Sequence, residues 1–157
     1  MFSGMHHAEF TLVDEGGQQN WDNTGAHLGV VRAGFNVDGS ASHAGDSQQG
    51  WMFPTRLGEL LHAGRCSKWK GQPKRYSLHE GCIVGLLLDL DQQTLSVSLN
   101  GSWLGVMVAP GMRDWRGEAV AALEGPLCWA VDVGYDTAVQ IKHAKIPERI
   151  PLTPHRQ

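Results

Sequence analysis

The sequence has few cysteines and no excess of positive charge. Its three cysteines, Cys66, Cys82 and Cys128, lie far apart and form no CxxC pair, which argues against a disulfide framework and against a zinc knuckle. Thirteen Lys and Arg stand against sixteen Asp and Glu, for a formal charge of −3. General attraction to phosphate therefore does not favour nucleic acid as a partner.

Long apolar stretches are also missing. No run approaches the roughly 20 residues that span a bilayer, and residues 1–7 have neither the basic start nor the apolar core of a signal peptide. The sequence therefore predicts a soluble protein without a membrane partner. The cysteine usage fits a reducing compartment, so we expect it in the cytoplasm or the nucleus.

Apolar residues nowhere keep the helical spacing for three turns, whereas 20 glycines punctuate short apolar runs along all 157 residues. This pattern is typical of a single domain built from many strands. The clearest strands are residues 86–91 and 94–99, which alternate apolar with polar positions, and the Asn100-Gly101 pair predicts a tight hairpin to a third strand at 103–108. Weaker patterns predict strands at 8–13, 27–33, 49–53, 59–62, 75–79, 119–123, 127–131 and 138–142.

Eleven short strands without a helix indicate an all-β sandwich or barrel. The alternation places Leu88 and Val97 in the core. Pro147, Pro151 and Pro154 remove backbone donors from the end of the chain. We therefore expect one domain over residues 1–145 and a proline-rich tail or linker over 146–157.

Several segments together resemble the signature of SPRY domains. They read GCIVGLLLDLD at 81–91, TLS at 94–96, LNG at 99–101 and LGV at 104–106. Outside them, SGMHHAEF at 3–10 resembles the first strand of the family, LGV at 28–30 its second strand, and GPL at 125–127 the entry to a late strand. The resemblance covers roughly residues 4 to 143.

The chain departs from the family pattern in three places. Cys82 stands where many members carry an acidic residue, and the loop at 36–49 is long and polar. The resemblance also starts almost at the beginning of the sequence, without the PRY segment that precedes it in many members. This predicts either a fragment or a sandwich that is closed in another way.

The resemblance implies an antiparallel β-sandwich of two sheets that recognises a peptide or a protein surface through loops at one end, without an enzymatic activity and without a cofactor. Such modules serve as the substrate-recognition part of ubiquitin ligases or in signalling and chromatin assemblies. In relatives, three loops line the pocket. By position these loops here carry Arg32 and Phe35, then Trp51 and Arg56, then Tyr135 and Asp136. Tyr135 and Arg56 are expected to share one surface pocket.

A second candidate surface follows from the residues alone. Trp69 lies between Lys68 and Lys70 in a stretch that is rich in basic residues. A cation and indole platform of this kind suits an acidic peptide, although a plain solvated loop has the same composition. Trp51 sits in a strand pattern, where a buried indole is the more common outcome.

Other classes of function remain as alternatives. The domain could pack against other parts of a larger protein as a scaffold, a single-stranded nucleic acid could use the Trp69 platform, or the domain could bind a small ligand. No GxSxG, P-loop or HExxH pattern is found, and the adjacent pair His6-His7 points to opposite faces of a strand. We therefore predict no catalytic residue, no metal site and no cofactor, and a monomeric isolated domain whose partner is a protein or an acidic peptide.

Overall fold

The computed structural model of the protein describes residues 1–14, 25–36, 43–133 and 137–148. These residues form ten strands and one turn of 3-10 helix, Ala44–Asp46. Within the described residues, no helix is long and apolar enough to cross a membrane. The strands are β1 (Met5–Asp14), β2 (Ala26–Arg32), β3 (Gly50–Pro54), β4 (Leu60–His62), β5 (Arg65–Ser67), β6 (Ile83–Asp89), β7 (Thr94–Leu99), β8 (Ser102–Val108), β9 (Leu127–Val133) and β10 (Thr137–His143).

Two five-stranded sheets contain all of these strands. The first sheet has the order β10-β1-β6-β7-β8 and the second has the order β5-β4-β3-β2-β9. Every neighbouring pair is antiparallel. The predicted all-β, antiparallel sandwich of two sheets is therefore confirmed.

The centre of the first sheet explains why the alternation in the sequence predicted it well. Strand β6 lies between β1 and β7, and its residues Leu86 and Leu88 pair with Val97 and Leu95. All four side chains are fully buried in one core cluster, as predicted for Leu88 and Val97. The neighbouring Leu87 was expected to face outward. It is buried as well, and it lies between its paired neighbours His7 on β1 and Ser96 on β7.

Two predicted strands are wrong and one was missed. Residues 75–79 form turns, since Tyr76 has a positive φ of 58° and its N–H donates to the Arg56 carbonyl. Residues 119–123 pack Val120 and Leu123 into the core as irregular chain. The missed strand β5 has only three residues, too few for a periodicity to emerge.

The hairpin turn between β7 and β8 has the geometry that its sequence predicted. Asn100 and Gly101 have φ values of 50° and 85°, as a two-residue turn with two left-handed positions requires. Earlier along the chain, Asp89 Oδ1 accepts the N–H groups of Asp91 and Gln92, each at 3.0 Å. The carboxylate therefore supports the β6–β7 turn.

Truncation of Leu88 tests the position of the core. Leu88→Ala removes a fully buried side chain, so we expect a loss of about 2–5 kcal/mol in the free energy of unfolding, measured by denaturant titration. Ile83→Ala on the same strand is the matched control, because Ile83 is 36% exposed and should cost less than about 1 kcal/mol. Equal losses in the two variants would contradict the assignment of the buried face.

The β7–β8 turn can be tested separately. A side chain at Gly101 meets no atom within 4 Å, so Gly101→Val acts only through the strain of a β-branched residue at positive φ. We expect a loss of at least about 1–2 kcal/mol. Ser102→Val, at the exposed next position, should not destabilise the protein. Unchanged thermal unfolding of Gly101→Val would argue against the left-handed turn.

Candidate functional site

Trp51 was a candidate binding residue, but its indole is fully buried. The ring stacks on His62 with centroids 5.0 Å apart, and Nε1 donates to the Ala121 carbonyl at 2.9 Å. The Arg32 guanidinium lies over the ring at 5.6 Å. Trp51 is therefore a core residue that cannot touch a partner, and the prediction of a direct binding role for it is wrong.

Trp69 requires the same correction. The indole is 7% exposed and Nε1 donates to the Gly58 carbonyl at 2.8 Å. The chain can approach β8 closely here because Gly71, at φ 99°, lacks the Cβ that would collide with the Leu104 carbonyl. Lys68 and Lys70 on either side remain exposed. The buried Trp69 side chain thus anchors the basic loop to the core, and its indole does not form a platform on the surface of this loop.

Arg32 and Arg56 do not lie at one end of the sandwich. Arg32 is the last residue of β2, and Arg56 follows the end of β3, next to the chain that enters β2. Since β2 and β3 are antiparallel, the two positions are separated by the length of β2, roughly 20 Å for seven residues. Phe35 belongs to the Arg32 side and packs partly buried against Val31 and its neighbours. The single pocket predicted for Arg32, Phe35 and Arg56 is therefore wrong.

Arg56 has a different partner from the one expected. Its guanidinium lies over the Tyr76 ring at 5.5 Å, and Tyr76 is 47% exposed. Tyr135 and Asp136, the remaining candidates, lie outside the described residues, so their place in a pocket with Arg56 stays a prediction. Tyr76 was missed because residues 75–79 were interpreted as a strand instead of a turn.

A more prominent aromatic group lies on the loop between β8 and β9. Trp115 is 70% exposed, and the guanidinium of Arg116 covers its ring at 4.8 Å. The loop is held by its own backbone: the Asp114 N–H donates to the Glu118 carbonyl at 2.8 Å and the Gly117 N–H to the Asp114 carbonyl at 2.9 Å. Trp115 therefore projects from an ordered turn.

Arg65 fastens this loop to the edge of the second sheet. Its Nη1 donates to Asp114 Oδ2 at 3.0 Å and also pairs with Glu118. Asp114 Oδ1 meanwhile accepts the N–H groups of Arg116 and Glu118. Burial raises the pKa of the Asp114 carboxyl, but these bonds outweigh it and hold the pKa below 3.8. The carboxylate that orders the loop is therefore ionised at neutral pH.

The loop and strand β5 enclose a shallow pocket of about 370 Å³, which we call the Trp115 surface. Its lining residues are Glu59, Cys66, Ser67, Lys68, Arg113, Asp114 and Trp115. Among the predicted binding residues that the structure describes, Lys68 is the one that lines it. The pocket is open to solvent and does not enclose a ligand, but it suits one anchoring side chain of a protein ligand.

Charges around the Trp115 surface are unequally neutralised. Glu59 pairs with Arg75 at 3.8 Å, and Asp114 pairs with Arg65. Lys68 forms no ion pair with any residue that the structure describes. The acidic groups therefore have partners while a cation is left for a ligand. From the sequence, Trp115 was expected in a loop beside polar residues, where an exposed aromatic residue favours a binding surface and a structural role is the alternative.

Comparison with known proteins was made on both sequence and structure. No family model matches the sequence, and no curated protein matches it. The fold is similar to the crystal structure of the SPRY domain of human HERC1, with a TM-score of 0.60 and 19% sequence identity over 95% of this chain and 79% of that chain. The SPRY-like fold implied by the sequence motifs is thus confirmed at the level of architecture.

His62, behind Trp51, should make stability depend on pH. Its Nδ1 donates to the Gly50 carbonyl at 2.7 Å. Burial lowers its pKa below 6.5, and Arg32 and Arg65 lower it further against that hydrogen bond. Near pH 6.5, the ordinary pKa of histidine, the unfolded chain therefore binds more protons than the folded chain. The stability that the neutral His62 ring contributes is fully present above about pH 6.5, and it is lost as the pH falls below that value.

This can be measured as the melting temperature at about pH 7.5 and about pH 5.5. His62→Gln should weaken the dependence on pH, because the group that must be protonated on unfolding is removed. His79→Gln is the control, as His79 is exposed, and it should keep the wild-type dependence. An unaltered pH dependence in His62→Gln would show that His62 does not titrate as a buried neutral ring.

Proposed function

We propose that this chain, which has the fold of SPRY domains, is a protein-interaction module that binds an acidic peptide or protein segment at the Trp115 surface. The single observation that carries this proposal is the Trp115 indole, 70% exposed on a loop that Arg65 fixes to β5. A large aromatic side chain held rigid in solvent loses little entropy on binding, which is typical of an anchor residue.

The cations beside Trp115 favour a ligand with negative charge. Lys68 lines the pocket without an ion pair among the described residues, and Arg116 lies over the indole. Arg113 also lines it, and its Nη1 donates to the Gly117 carbonyl at 2.7 Å. A carboxylate placed among these three groups would gain charge-assisted hydrogen bonds. This supports an acidic ligand over a basic one.

The arrangement does not favour catalysis. A hydrolytic or acid–base site needs a deep pocket with a nucleophile or a base within reach of its orienting group. The Trp115 surface instead holds the Cys66 thiol, whose pKa is raised by burial and by Glu59, so that the reactive thiolate is suppressed. We therefore propose a non-enzymatic role, in a ubiquitin ligase or in a signalling or chromatin assembly, as the family resemblance implies.

A scaffold role within a larger protein is the second candidate. Val133 on β9 and Ile141 on β10 are about half exposed, and both strands lie at an edge of their sheet. Apolar side chains on sheet edges are a common place for contact with another segment. This candidate predicts binding that depends on Val133 and Ile141 instead of Trp115.

Selection from a random peptide library on the immobilised protein tests the proposal. We expect enriched peptides to contain Asp and Glu next to an apolar residue. Measured by fluorescence polarisation, Trp115→Ala should weaken the binding of an enriched peptide by at least about tenfold, or about 1.4 kcal/mol. Lys68→Glu should also weaken it, and added salt should slow the association of the wild type.

Phe2→Ala is the matched control, since Phe2 is also an exposed aromatic residue, at 83%, outside the Trp115 surface. It should bind as the wild type does. Arg56→Ala tests the pocket predicted from the sequence: a loss there together with unchanged binding in Trp115→Ala would move the site to the Arg56 end. Competition by a single-stranded oligonucleotide, or enrichment of basic peptides, would contradict the proposed ligand.

A further inference from the structure

Three side chains with metal-binding atoms meet on the outer face of the second sheet. His27 on β2 and Asp132 on β9 are directly paired residues of neighbouring strands. His43 precedes the 3-10 turn that covers this face, and its ring lies 4.9 Å from the ring of His27. One ligand atom from each of the three residues lies within 4.8 Å of the others. Residues distant in sequence are thus brought together by strand pairing.

The Asp132 carboxylate is already oriented. Its Oδ2 accepts the N–H of Ala44 at 2.9 Å, and Ala44 is buried. The bond fixes the carboxylate to the backbone that carries His43. Outer hydrogen bonds of this kind set the direction of a metal-binding carboxylate before the ion arrives.

His27 supplies the second, independent observation. Its Nδ1 is buried and has no hydrogen-bond partner among the described residues, and it lies 4.0 Å from Asp132 Oδ2, beyond hydrogen-bond distance. A buried ring nitrogen without a partner is costly. A metal ion between the two groups would satisfy the nitrogen and the carboxylate together.

We propose that His27, His43 and Asp132 bind a divalent transition-metal ion of the Zn²⁺ class, with a fourth position left for water or a partner's side chain. Two imidazoles and one carboxylate are a donor set that zinc accepts in tetrahedral geometry. Bond lengths near 2.0–2.1 Å place the donors of such a site roughly 3.4 Å apart. The present separations of up to 4.8 Å close by side-chain rotation, since His43 is exposed and free to turn.

The bound ion would join β2, β9 and the segment that carries His43. The 3-10 turn after His43 packs Ala44 against Val31, Met52 and Leu61, so the ion would fasten this cover to the sheet. Binding should therefore raise the stability of the folded chain. This inference is independent of the proposed peptide-binding function, because the site and the Trp115 surface share no residue.

Titration of the full chain, first freed of metal with a chelator, tests the site. Isothermal calorimetry with zinc chloride should show one ion bound per chain. Zinc at about a hundredfold above its Kd should raise the melting temperature by about 5–11 °C. Magnesium should not compete, since it prefers oxygen ligands. Bound cobalt should give the visible absorption of a tetrahedral site.

Two variants remove different ligands. His43→Ala deletes an exposed ring, and Asp132→Asn keeps an oxygen for the Ala44 N–H while removing the charge. Each should lower the zinc affinity at least about tenfold and reduce the thermal shift at the same zinc concentration to about half or less. Circular dichroism and melting in the presence of chelator should show that both variants remain folded.

His79→Ala is the control for scattered binding by exposed histidines, as His79 lies outside the cluster, and it should behave as the wild type does. The proposal is overturned if the wild type binds no zinc in a defined stoichiometry. It is also overturned if folded His43→Ala and Asp132→Asn bind zinc as tightly as the wild type, or if His79→Ala loses affinity to the same degree.

Discussion

Burial of the Trp51 indole links the core of this protein to the surface on which Trp115 lies. The ring closes the interior between the two sheets, stacks on His62 of the neighbouring strand, and donates to the Ala121 carbonyl. That carbonyl belongs to the irregular chain that follows the Trp115 loop. The side chain that completes the core therefore also fixes the chain next to the candidate binding surface.

Two basic residues at the β5 edge of the second sheet, Arg65 and Lys68, differ in how their charges are neutralised. The Arg65 guanidinium pairs with Asp114 and Glu118, and these ion pairs hold the loop to β5. Because both carboxylates neutralise it, little of its charge is available to a ligand. Lys68, the residue directly after β5, keeps its charge in solvent. Arg65 thus has a structural role, while Lys68 keeps the charge that the proposed binding of an acidic ligand needs.

The outer face of the same sheet carries the proposed metal site, which is separate from the proposed binding site at the Trp115 surface. Strand pairing alone places His27 opposite Asp132, and the turn at Ala44 brings His43 above them. The Trp115 surface depends instead on the β5 edge and the β8–β9 loop. The two sites use different strands of one support, which fits a fold whose function resides in its loops and faces.

The sequence by itself determined the central strands of the first sheet and the turn between β7 and β8. Alternation at Leu88 and Val97 and the Asn100-Gly101 pair depend on contacts that are local along the chain or adjacent in the sheet, and such contacts leave a periodic pattern. The order of short signature segments was also enough to indicate a SPRY-like fold before any coordinates.

Only the tertiary structure decided which polar and aromatic residues share a surface. Trp69 and Trp115 both stand among polar residues in the sequence, yet one is buried under β8 and the other is exposed. Arg32 and Arg56 were expected together and lie at opposite ends of β2. The reason is that the exposure of a side chain and the identity of its neighbours depend on strand order and on packing between loops far apart in the chain. Such long-range contacts leave no periodic pattern in the sequence.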